Sequence, residues 1–203
     1  MEKMLKKVEG IVLRAIKYSE TSLICGVYTQ ELGFRTYIIN GVRKKNSKIS
    51  PALLQPMSLV ELVIYHQEDK DINRIQEIKP SYVYQHVPFD VAKGAVGLFM
   101  TEVAQKTLKE PEANPVLFDF LKFCYIQLDQ TTEKIAHFPI SFLVHFSLHL
   151  GLLPRLNNLS EGCVFDYSEG RVLARAPRLN FHYFSPQNTI LLTLISTMTL
   201  ENC

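Results

Sequence analysis

Most of the features that announce chemistry are missing from this 203-residue chain. Its four cysteines, Cys25, Cys124, Cys163 and Cys203, form no CxxC pair and no disulfide-like spacing, and no apolar leader precedes a small-residue cleavage site. A disulfide scaffold is thereby excluded, and a reducing cytoplasm is the expected home. No run approaches the roughly 18 apolar residues of a membrane span. The longest, FPISFLVHFSLHLGLLP, is interrupted by Ser141, His145, Ser147 and His149 and bounded by prolines, so it reads as a buried helix.

Catalytic signatures are absent as well. GVRKKNSK (41–48) lacks the second glycine before a Lys-Ser/Thr pair that a phosphate loop needs, and there is no GxSxG elbow, glycine-rich dinucleotide fingerprint or Cys-His signature. His145 and His149 have the i, i+4 spacing of metal ligands, but Phe146 stands where HExxH places its glutamate and no further ligand lies nearby. Two locally hydrogen-bonded histidines are the better reading. The expectation is a protein without enzymatic activity, cofactor or metal.

What is present is a sizeable apolar fraction, 47%, and an uneven spread of a modest net charge of +2. The part up to residue 80 is basic and the remainder slightly acidic, which points to a basic face in the first half. The sharpest concentration is IINGVRKKNSKIS (38–50), where Arg43, Lys44, Lys45 and Lys48 follow a glycine with no acidic residue among them.

Periodicity divides the chain. VEGIVLRAI (8–16), TSLICGVYT (21–29), FRTYIIN (34–40), SLVELVIYH (58–66) and INRIQEIK (72–79) are short, β-branched and aromatic, and separated by polar turns. Five strands in so short a segment cover their edges best by curling into a small barrel, of OB type or, on pattern alone, SH3-like. From residue 91 a helical rhythm takes over and ends at Pro111; a second helix starts at Asn114-Pro115, and a third runs from 135 to 150 and stops at Gly151. Extended pieces at 163–167 and 171–174, joined by Ser168-Glu169-Gly170, predict a hairpin, and a last helix starts near Ser185-Pro186. The predicted class is α+β: an N-terminal five-stranded barrel over 1–80, then an α-helical domain over 81–203 with a hairpin insertion near 160–178.

Cations from separate segments can converge on such a barrel. Arg14 and Lys17 close the first strand, Arg35 lies in the third, and Tyr18, Phe34 and Tyr37 lie among them. Aromatic rings interleaved with positive charge suit single-stranded nucleic acid, in which unpaired bases stack while phosphates are neutralised. At least one of Phe34 and Tyr37 is expected inside the barrel, because alternate strand positions face inward.

GIVLRAIKYSETSLICGVYTQELGF (10–34), NGVRKKNSK (40–48) and LLQPMSLVELVIYH (53–66) resemble, in order and spacing, the N-terminal domain of the RecO family of bacterial recombination mediators. The resemblance implies an OB barrel followed by a helical domain, no catalysis, and binding of single- and double-stranded DNA in the cytoplasm, associated with the nucleoid. It further implies annealing of complementary strands and, with RecR, assistance in loading RecA onto DNA coated by single-strand-binding protein, whose acidic, apolar C-terminal tail the helical domain receives. By position in the matching stretches, Arg14, Lys17, Arg35, Arg43, Lys44, Lys45 and Lys48 are the DNA-contact candidates.

Two departures accompany the match. Many RecO proteins carry four zinc-binding cysteines after the central helices, whereas SEGCVFDYSEGRVLARAP retains only Cys163, so zinc is expected to be absent and Val164, Phe165, Val172 and Leu173 to hold the hairpin. A RecO-like chain is also expected to continue with more helix beyond Cys203. The competing expectations are an OB-fold RNA-binding protein and a protein-interaction module with no role in DNA repair.

Overall fold

The computed structural model describes residues 4–42, 49–67, 69–153, 159, 162–177 and 182–198. Residues 43–48, which carry the basic run, lie outside the described residues, as does Cys203. The alternating segments form β1 Met4–Lys17, β2 Leu23–Thr29, β3 Gly33–Ile39, β4 Leu59–His66 and β5 Ile72–Pro80. They close into a barrel in the order β1-β2-β3-β5-β4, antiparallel throughout except for the β3–β5 pair. This is the OB-type barrel that the sequence predicts.

β1 makes closure possible by serving two partners. Residues 4–11 pair with β4 and residues 10–17 with β2, and a register shift between Val12 and Arg14 bends the strand near the changeover. At Gly10 a Cβ would stand 2.5 Å from Val27 Cγ1, so the close approach of the strands there requires glycine. Inside, Val12, Cys25, Val27, Tyr37, Ile39 and Leu62 share one core. Each large apolar side chain buried in it contributes roughly 1.5–3 kcal/mol.

Two helices follow, each with a side-chain cap. Asp90 accepts from the amides of Ala92 and Lys93 at 2.8 and 3.1 Å to start α1 (Val91–Thr107), and Asn114 accepts from Leu117 N at 3.0 Å to start α2 (Pro115–Gln130). The chain divides into two compact units, residues 1–130 and 131–203. The change of period near residue 80 is therefore a change of secondary structure within the first unit. Tyr28 and Phe118 pack with ring centroids 6.2 Å apart, Lys122 pairs with Glu9 at 2.7 Å, and Gln30 donates to Asp119 at 2.7 Å.

The segment leaving β5 is held by one buried carboxylate. Asp129, fully enclosed near the end of α2, accepts from the amides of Gln85, His86 and Val87 and from the Tyr82 hydroxyl, at 2.8–3.2 Å. Its own backbone carbonyl receives Lys93 Nζ at 2.8 Å. α1 then lies on the β3–β4 connection, where Met57 adopts a left-handed backbone (φ 76°) and a Cβ at Gly97 would stand 2.6 Å from Met57 Cε.

The second unit is built on α3 (Phe138–His149) and α4 (Pro186–Thr197), the latter capped by Ser185. Gly151, at φ 70°, follows α3 as the sequence predicts. The predicted hairpin forms as β6 (Val164–Asp166) and β7 (Arg171–Leu173), and β8 (Tyr183–Phe184) adds to the other side of β6. Phe165 packs with Val144 and Leu153, with Val172 against them, and the Asp166 carboxylate ties the turn through Ser168 and Glu169. Among the described residues no helix is long and apolar enough to cross a membrane.

Burial, the largest influence on Asp129, opposes its charge, but the three amides and Tyr82 outweigh it and hold the carboxyl below its ordinary range. A depressed carboxylate contributes stability above its unfolded value of about 3.9, and that stability is lost as pH falls through the lower folded value. Asp129→Asn should cost about 3 kcal/mol at neutral pH, with a smaller gap from wild type in acid, read by urea unfolding. An equal gap at both pH values would show that the charge plays no part.

Candidate nucleic-acid interface

Strand parity decides which candidates can meet a ligand. Tyr37 and Ile39 point into the barrel and are fully buried, so Arg35 shares their face while Phe34 takes the outer one. Of the two aromatic residues, Tyr37 is thus the core member. Arg35 sits near the start of β3, donating from Nε to Leu32 O at 3.2 Å and from Nη2 to Pro111 O at 3.4 Å. It closes the barrel against the α1–α2 connection, whose Glu110 carbonyl also accepts from Phe34 N at 3.1 Å.

The outer face brings Arg14 and Phe34 together. Arg14 opposes Gly26 across the β1–β2 ladder, and its guanidinium carbon lies 5.8 Å from the centroid of the Phe34 ring. Gly26 makes room for both: a Cβ there would stand 2.8 Å from Phe34 Cζ and 3.0 Å from Arg14 Cγ. Lys17 is exposed and pairs with Leu23, which pairs in turn with Ile39. Lys17 therefore lies at the end of β3 from which the chain runs into residues 43–48. Val42 and Ile49, the described residues on either side of that run, both pack into the barrel core.

Helix α1 adds cations that the sequence candidates omit. A cleft of about 730 Å³ is lined by Arg14 and Phe34 from the barrel and by Leu98, Glu102, Gln105 and Lys106 from α1, with Lys109 just beyond it. Lys106 and Glu102 form an exposed ion pair at 2.8 Å that holds the carboxyl low and the ammonium high, and Lys109 is exposed. Arg14 Nε is enclosed without a hydrogen-bond partner among the described residues. The β4–β5 turn is less suited to phosphate, because exposed Asp69 and Asp71 flank Lys70. A second groove, of about 700 Å³, runs past Met57, Tyr84, Val87 and Pro88 and has no charged side chain in its lining.

Of the residues with catalytic side-chain chemistry, Cys25 and Cys124 are buried, His145 is half-buried and His149 is exposed. No group of three or more His, Cys, Asp or Glu side chains among the described residues is placed to hold a metal. Burial lowers His145 against the carbonyls of Met198 and Ile195, and burial together with His145 lowers His149. Cys25 lies inside the barrel, where burial pushes its thiol up to about 12, and burial raises Cys124 further. Neither thiol is a nucleophile near neutral pH. Iodoacetamide at mildly alkaline pH should leave Cys25 and Cys124 unmodified in the native protein and label both after unfolding, as read by peptide mass; native labelling of Cys25 would mean that the barrel opens.

Comparison with known proteins finds one family along most of the chain. Residues 1–84 match the family model described as Recombination protein O N terminal, and residues 88–166 the one described as Recombination protein O C terminal. Proteins called DNA repair protein RecO from Phocaeicola vulgatus and Bacteroides fragilis are each 30% identical over 198 residues, covering 98% of this chain and 82% of the relative. One from Porphyromonas gingivalis is 28% identical over 199 residues, covering 95% of this chain and 80% of the relative.

Proposed function

The chain belongs to the RecO family, and on that premise we propose that it is a non-enzymatic recombination mediator that binds DNA on the outer face and loop end of its barrel. A mediator role in DNA repair follows from the family. The finer reading is that it binds single- and double-stranded DNA, anneals complementary strands, and acts with RecR and the tail of single-strand-binding protein to help load RecA. The observation that carries it is the placement of Arg14 on the outer face and of exposed Lys17 beside the end of β3, beyond which the chain runs into Arg43, Lys44, Lys45 and Lys48.

Annealing requires two strands to be held close while their bases remain free to pair. A surface that screens phosphate charge and stacks weakly meets that requirement better than a pocket that reads base edges. Arg35, held by two backbone carbonyls, contributes to the barrel and not to the contact surface.

Five phosphate contacts give a log–log salt slope near about −3.5 for single-stranded DNA, at roughly −0.7 per contact. Replacing Arg43, Lys44 and Lys45 together by alanine should make that slope shallower by about 2, with an unchanged melting temperature. Fluorescence anisotropy across a salt series, with DNA and RNA of one sequence, makes the measurement. Unchanged affinity in the folded triple variant removes these residues from the interface. A clear preference for RNA favours the RNA-binding alternative, and absence of binding favours an interaction module.

A further inference from the structure

The cleft between the barrel's outer face and α1 is not needed to explain charge at the loop end, yet it has the chemistry of a ligand site. Arg14 and Phe34 form its barrel wall, with the guanidinium lying over the ring. Planar groups so placed offer a stacking surface to a third planar group, and unpaired bases stack on guanidinium planes as they do on aromatic rings. Leu98, more than half exposed, gives the opposite wall an apolar contact, and Gln105 supplies an amide able to donate and accept.

Charge completes the picture. Arg14, Lys106 and Lys109 face a single carboxylate, Glu102, along the lining. The Glu102–Lys106 pair is exposed on both sides, its side chains 63% and 74% accessible. Such pairs contribute little to stability, so a phosphate can replace the carboxylate as the partner of Lys106 at small cost.

We propose that this cleft is a subsite for one unpaired nucleotide of a bound strand: its base stacks on Arg14, which is backed by Phe34, and its flanking phosphates meet Lys106 and Lys109. The inference rests on the DNA-binding reading above and extends the contact surface from the barrel onto the first helix. A paired base cannot enter, so the subsite separates single strands from duplex without reading sequence.

The test uses the full chain with single-stranded DNA and a blunt duplex of the same sequence, each across a salt series. Lys106→Gln with Lys109→Gln, both exposed and outside the core, should make the single-strand slope shallower by about 1.4 and leave duplex binding as in wild type. Arg14→Lys keeps the charge and removes the plane. It should retain the salt slope but abolish the quenching of a fluorescent purine analogue placed within the strand. Equal losses on strand and duplex would reduce the cleft to a general phosphate patch and overturn the proposal, as would unaltered single-strand binding in the double variant or full quenching in Arg14→Lys. Wild-type protein that binds neither DNA fails the DNA-binding reading itself, an outcome distinct from the variant results.

Discussion

The carboxylate of Asp129 sets the geometry of the first unit. An enclosed anion that accepts from three consecutive amides and a tyrosine hydroxyl fixes the path of the chain between barrel and helix. That path delivers Asp90 to its capping position and α1 to the surface of the β3–β4 connection. With α1 in place, Lys106 comes to line the same cleft as Arg14. A buried charge far in sequence from the barrel cations thus helps to bring Lys106 and Arg14 to one cleft.

A second constraint is the bend in β1. The strand gives one half to β4 and the other to β2, and the irregularity at the handover lifts Arg14 out of strict alternation onto the outer face. Without it, an arginine two residues from the buried Val12 would be a candidate for the interior. The bend therefore serves closure of the barrel and presentation of the cation at once.

Much of this was legible in the sequence, for identifiable reasons. Elements whose ends carry a strong local signal fell where expected: Asn114 with Pro115, Gly151, and Ser185 with Pro186 each mark a helix boundary chemically. β1 begins at Met4, earlier than its apolar alternation suggests, because residues 4–7 pair through their backbone while mostly exposing their side chains. β8 is two residues long and has no period to detect. Arg35 is a contact candidate by its position in the family-matching stretches; its parity with Tyr37 and Ile39 turns it to the inner face, and its bonds to Leu32 O and Pro111 O depend on a helix connection distant in sequence. That Lys106 and Lys109 line one cleft with Arg14 is not visible in the sequence, because it depends on the seating of α1 by Asp129, Met57 and Gly97, contacts distant in sequence.

Closure of the barrel also bears on how such a protein can assemble. The ring is closed, yet β1 gives residues 4–11 to β4 and 10–17 to β2, and β3 meets β5 over only three pairs, so residues 4–9 of β1 and 75–80 of β5 each keep one ladder edge without a strand neighbour. Strand addition to this unit by an incoming chain is confined to those short edges. Among the described residues, the outer strands of the small sheet, β7 and β8, offer further edges of the same kind. Elsewhere on the barrel a partner has only side chains to engage.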